Sequence, residues 1–180
     1  MITKDKTNGV TGRLWVTIKN EKGETKQEFD VPNQVVDDGL EYIADRMKNG
    51  SGGTFNTRNE MKFMEIGHGN GDGTANTPGS GNTKLDGPKG GEGNTRKLCT
   101  VAVSANTITY TATFLNGEST GFSTSATPVA GTGEITEAGI FDHQTDTFAQ
   151  GARMLCRTTF LPVNKETGDS MTITWQVTIS

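Results

Sequence analysis

The chain reads as an antiparallel β-sandwich, jelly-roll-like, of about eight strands with one α-helix and a long glycine-rich loop. Three observations carry this expectation. The segment Met171-Thr-Ile-Thr-Trp-Gln-Val-Thr-Ile179 alternates apolar and polar residues throughout. Successive side chains of a strand face opposite sides of its sheet, so this segment is a strand with one buried face. Residues 107–115 nearly repeat the pattern, with Ile108, Tyr110, Ala112 and Phe114 set against Thr107, Thr109, Thr111 and Thr113. Finally, strand-like runs follow one another without helical crossovers, which favours antiparallel layers. The closing strand is expected to pair well inside its sheet.

The other elements follow in order. Residues 13–19 form a strand with Leu14, Val16 and Ile18 on one face. Asn20-Glu-Lys-Gly23 turns the chain and residues 25–31 return it, which makes a hairpin. Pro32-Asn33 breaks the extended run. Residues 35–48 are the one convincing helix, with Val36, Leu40, Ile43, Ala44 and Met47 as an apolar stripe. Asp37, Asp38, Glu41 and Asp45 cover its other side. Asn33 is the expected cap, the acids sit near the positive N-terminal end, and Lys48 precedes Gly50. Such a helix is best used to plug or flank a sheet.

A short strand over residues 61–66 leads into a segment of different character. Residues 67–94 carry glycine at 67, 69, 71, 73, 79, 81, 87, 90, 91 and 93, with almost nothing apolar except Leu85. A segment so poor in apolar surface cannot offset its conformational entropy alone. It is expected to be mobile or to be ordered by a neighbouring subunit, with Gly67, His68, Asn70, Asp72 and Leu85 as the contact residues. Strands over 97–103, 107–115, 134–141 and 152–160 complete the set. The division is an N-terminal arm over 1–12 and a single domain over 13–180, without internal repeats.

Bulk properties narrow the function classes. A chain of 180 residues suffices for one domain with a sizeable core. Net charge is -4 and lysines and arginines are scattered. A phosphate backbone would select a basic stripe, so nucleic acid is not an expected partner. The start lacks the apolar run of a secretion signal and no stretch approaches the ~20 apolar residues of a membrane span, so synthesis in a cytoplasm and no membrane are expected. Cys99 and Cys156 both sit in strand-like runs and are expected as buried free thiols. A disulfide would need their strands side by side.

Reactive chemistry is sparse. His68-Gly-Asn-Gly-Asp72-Gly73 is the most site-like stretch, since glycine turns with Asn and Asp can hold calcium. It offers one carboxylate and lacks a closing glutamate. His68 and His143 are too few for a typical zinc site. No phosphate loop or dinucleotide fingerprint occurs, and neither cysteine has a catalytic context. Glu134 and Glu137, three apart on a strand, point to opposite faces and cannot flank one glycosidic bond unless a bulge intervenes. The expectation is therefore no enzyme, no metal and no cofactor. Glu137 shares parity with Ile135, Gly139 and Phe141, so it is expected to face inward, where a carboxylate needs a cation. Arg96, Arg153 and Arg157 are candidates, with Arg96 or Arg157 expected to pair with it.

Several pieces stand in a recognisable order. They are Asn33-Gln-Val-Val-Asp-Asp-Gly-Leu-Glu-Tyr-Ile-Ala44, Phe63-Met-Glu-Ile-Gly-His-Gly69, Leu85 with Glu92 and Arg96, Ile135-Thr-Glu-Ala-Gly-Ile-Phe-Asp142, Met154-Leu-Cys-Arg-Thr-Thr-Phe160 and Ser170-Met-Thr-Ile-Thr-Trp175. Over residues 30–180 this resembles a family of small structural proteins of tailed bacteriophages. The resemblance implies a virion component without enzymatic activity, made in the host cytoplasm. Its partners would be the major capsid protein or other virion proteins, and it would form a homo-oligomer, with a trimer favoured. A capsid decoration (cement) protein is the leading expectation. The alternative is a tail, tail-fibre or baseplate accessory protein involved in host-surface recognition. A carbohydrate-binding module fits less well, because Trp15 and Trp175 both lie in strands. The glycine-rich insert before Leu85 is longer than the family pattern.

Overall fold

The computed structural model describes residues 9–49, 60–69, 76–86, 96–118, 134–145 and 152–179, without the side chains of 45–49 and 134. The elements are β1 (Val10–Lys19), β2 (Thr25–Pro32), β3 (Gln34–Val35), α1 (Asp37–Asn49), β4 (Phe63–Gly67), β5 (Lys97–Leu98), β6 (Thr100–Ser104), β7 (Thr107–Phe114), β8 (Glu134–Phe141), β9 (Met154–Asn164) and β10 (Ser170–Ile179). They form two antiparallel five-stranded sheets, in the orders β2-β1-β10-β7-β6 and β3-β9-β8-β4-β5. The sandwich expected from the alternation is present, with ten strands among the described residues rather than about eight. No helix among the described residues is long and apolar enough to cross a membrane.

The first sheet follows directly from its alternation. β10 lies between β1 and β7, so that Trp175 faces both Leu14 and Tyr110, and Ile173 faces Val16 and Ala112. All of these are buried. Each large side chain taken fully out of water contributes about 1.5–3 kcal/mol before entropy is subtracted. On the opposite face Thr107 meets Thr178 and Thr113 meets Thr172, each pair with hydroxyls 3.0 Å apart. The β1–β2 hairpin closes as expected: the Asn20 side-chain oxygen accepts from the amides of Lys22 and Glu24, and Gly23 takes a φ of 80°. Met64, Ile66, Ala138, Ile140, Leu155 and Cys156 complete the core from the second sheet.

Five local expectations change. The strand over 97–103 is two strands, because the chain leaves the second sheet after Leu98 and enters the first at Thr100. Buried Cys99 is the crossing point. The helix starts at Asp37, since Val35 is still paired to Cys156 on β9. Its inward face is rotated from the expected stripe: Gly39 is buried and Tyr42 and Ile43 half-buried, whereas Leu40 and Ala44 are exposed. The cause is close approach, for a Cβ on Gly39 would overlap the Leu155 carbonyl. Met47 and Asp45 lie outside the described side chains. Asn33 packs against Gly12 rather than capping the helix. Finally, β1 begins at Val10, which faces Ile179, so residues 10–12 of the expected arm are strand; residues 1–8 lie outside the described ones.

A bulge reorients β8. Ile135 pairs with Val163 but Glu137 pairs with Thr159, so β9 carries the extra residues, Pro162 among them. Ile135 thus shares the central core with Ala138 and Ile140, while Phe141 belongs to a second apolar cluster with Val36, Leu85 and Met154. Glu137 was expected on the face of Ile135. It lies instead on the outer face of the second sheet, with Gly139 and Phe141.

Candidate functional site

The outer face of the second sheet holds a buried ionic layer. Glu137 and Arg157 are both fully buried, on neighbouring strands. Arg157 donates to Glu137 Oε2 from Nε (3.1 Å) and Nη2 (2.8 Å). It also donates to Asp86 Oδ2 at 2.6 Å and to Asn82 Oδ1 at 2.9 Å. Glu137 in turn accepts the amides of Gly69 at 3.2 Å and Asp86 at 3.1 Å. An ion pair out of water is tolerable only when its remaining hydrogen-bonding positions are filled, and here they are filled by the glycine-rich stretch. Gly67 makes room, because a Cβ there would come within 2.7 Å of Glu137 Oε1.

Residues 76–86 are consequently a strap over the second sheet. Leu85 inserts beside Phe141, Val36 and Met154. The Ser80 carbonyl accepts the Asp37 amide at 2.7 Å and Asp86 Oδ2 accepts the Asn76 amide at 3.0 Å. Of the expected subunit contacts, Gly67, His68 and Leu85 are buried within their own chain, where the ionic layer and one leucine dock the stretch. Asn70 and Asp72 lie outside the described residues, as does most of the calcium-like turn. Among the described residues no cluster of His, Cys, Asp and Glu is placed to hold a metal.

Arg96 does not join Glu137. Its Nε donates to Glu65 Oε2 at 2.8 Å, both side chains being almost fully buried, and its Nη1 donates to the His143 carbonyl at 3.1 Å. Its guanidinium lies 3.6 Å from the Phe141 ring centroid, a cation–π contact. Glu65 escaped the sequence reading, although parity would have found it: Phe63, Glu65 and Gly67 share the outer face of β4, opposite core residues Met64 and Ile66. Arg153 bridges Asp38 at 3.2 Å and Glu41 at 3.1 Å, which ties α1 to the segment just before β9. The β8–β9 pairing does shift between Ile135 and Glu137, with the extra residues on β9, yet Glu137 is enclosed by Arg157 and the strap; the Glu134 side chain is outside the described ones.

Lys165 was also missed, since Asn164-Lys-Glu166 reads as loop. Its buried Nζ donates to the carbonyls of Leu115 (3.0 Å) and Glu118 (2.8 Å). Burial pushes its pKa down to about 8, against the pull of Asp169 and Glu118. Burial also works to raise Glu118, but the Lys97 ammonium and the Leu115 amide outweigh it and hold that carboxyl below its usual range.

The second feature is an open groove of about 560 Å³ between the sheets, floored by Tyr42, Ile43, Met61, Tyr110 and Leu155 and edged by Val101 and Val103. It is predominantly apolar. Cys99 lines it as a thiol, since burial lifts its pKa to about 12. Cys99 and Cys156 are both free. The groove runs out onto β6, whose five residues are all exposed, with Val103 at 70%.

In comparisons with known proteins, no family model matches the chain, and no curated protein or solved structure matches it.

Proposed function

We propose that the chain is a structural component of a tailed-bacteriophage particle, and within it a capsid decoration protein that binds the assembled shell from outside and stabilises it. The observation that carries this reading is where the reactive-looking groups go. Glu65, Glu137, Arg96 and Arg157 are consumed by internal pairing, while the surface left open is an apolar groove running into a bare strand edge. Buried ion pairs hold a shape, and an open apolar face suits assembly with other protein chains, copies of this one included. The ordered series of motifs from Asn33 to Trp175 supports the particle as the place of that contact.

Purified protein is expected to bind empty mature capsids and to raise their temperature of thermal disruption. A copy number on the scale of the major capsid protein would agree with this. Failure to bind shells, together with co-purification with tails, would replace the reading with a tail or baseplate accessory role.

A further inference from the structure

Among the described residues four strand edges end the two sheets, and three of them are protected in recognisable ways. β3 and β5 are two residues long. β2 carries Lys26, Glu28 and Asp30 and ends in Pro32. Short length, charge and proline are the devices that keep edges from pairing with other chains. β6 has none of them. Thr100-Val-Ala-Val-Ser104 is uncharged, exposed along its whole length and, among the described residues, pairs only through its β7 side.

We infer that β6 is a self-association edge, through which two copies of this chain join their first sheets antiparallel about a twofold axis at Ala102. The strand is close to a palindrome. Pairing about Ala102 sets Val101 against Val103 of the second copy, and Thr100 against Ser104 of the second copy. Every pair so formed joins residues of the same parity, so hydrogen-bonding positions meet hydrogen-bonding positions. No like charges are brought together, which would not hold for β2 paired with itself.

The groove explains why the contact extends beyond a ribbon. A five-residue strand is only about 16 Å long, and a stable interface covers roughly 800 Å² per partner. Val101 and Val103 line the groove and also stand on the edge, at 42% and 70% exposed. Pairing two edges places these valines beside their counterparts and joins the grooves into one apolar surface that also takes in Ile179, 44% exposed. A twofold contact of one patch with itself is the commonest way homo-oligomers close. The result is a continuous ten-stranded sheet across the pair.

The test uses the full chain alone, so it stands or falls separately from any binding to shells. Sedimentation equilibrium from micromolar to sub-millimolar protein should give twice the chain mass. Val103→Lys, a change at an exposed site, should halve that mass and leave the far-ultraviolet circular dichroism unchanged. Under mild oxidation Ala102→Cys should cross-link to itself, because it lies on the axis. Thr100→Cys should not, since its two copies would stand roughly 13 Å apart along the ladder, beyond disulfide reach. A monomer at every concentration, a trimer, a Val103→Lys protein of unchanged mass, or equal cross-linking at both positions would each overturn the inference. A monomer that instead takes up a strand from a shell protein would overturn it as well.

Discussion

The two sheets answer the same alternation differently. In the first, the face away from the core is a row of half-buried threonines in contact with water, and Thr107–Thr178 and Thr113–Thr172 pair across strands. In the second, the equivalent face is buried and carries Glu65, Glu137, Arg96 and Arg157. Water satisfies the first face at almost no cost. The second face must meet its charges inside the protein: Glu65 and Arg96 pair with each other, and Glu137 and Arg157 draw residues 76–86 down as a strap. A polar, glycine-rich stretch is therefore held with a single leucine as its hydrophobic contact: beside Leu85, what docks it is the hydrogen-bonding capacity of an ion pair beneath it.

That contrast can be broken most severely at Arg157. Arg157→Met leaves the carboxylates of Glu137 and Asp86 without their shared cation, and removing one partner of a buried pair typically costs about 3–5 kcal/mol. Chemical denaturation should report that loss, and hydrogen exchange should show faster exchange at the Asp86 amide while the amides of β10 keep their protection relative to global unfolding. An Arg157→Met protein as stable as wild type would mean that the ionic layer does not hold the strap.

Lys165 sharpens the comparison through pH. Its folded pKa of about 8 lies below the ordinary 10.5, so between those values the unfolded chain holds more protons and stability rises with pH. Cys99, Cys156 and Tyr110 are raised by burial; these acids lose protons first in the unfolded chain, so they lower stability as pH rises past their ordinary values. The informative quantity is the difference between wild type and Lys165→Met. From pH 7.5 to 10, values spanning the pKa shift, the melting temperature of Lys165→Met should fall more steeply. Parallel curves would show that the ammonium bears no burial penalty.

The smallest effect belongs to the outer face of the first sheet. Thr113→Val removes one hydroxyl pair at a half-buried site, and cross-strand pairs of this kind are worth roughly 0.2–1 kcal/mol. A shift in the denaturation midpoint approaching that of Arg157→Met would erase the distinction between a wet outer face and a covered one.

The alternation of β10, β7 and β1 made the sandwich legible, because a period of two with one apolar face has few alternatives once such strands follow in series. The parity of Met171, Ile173, Trp175 and Val177 named their buried face, and the inward demand of a carboxylate at Glu137 pointed to an arginine. Tertiary structure decided the rest. Which arginine pairs with Glu137 depends on the register of β8 on β9, Glu137 opposite Thr159 and Gly139 opposite Arg157, which no local pattern announces. The inward face of α1 was set by how closely Gly39 could approach Leu155, a backbone contact that hydrophobic spacing does not encode. The division of residues 97–103 between two sheets, and the docking of Leu85 and Asp86, were likewise settled between segments far apart in sequence. Periodicity determines which way a side chain faces relative to its own backbone; only packing determines what lies on that side.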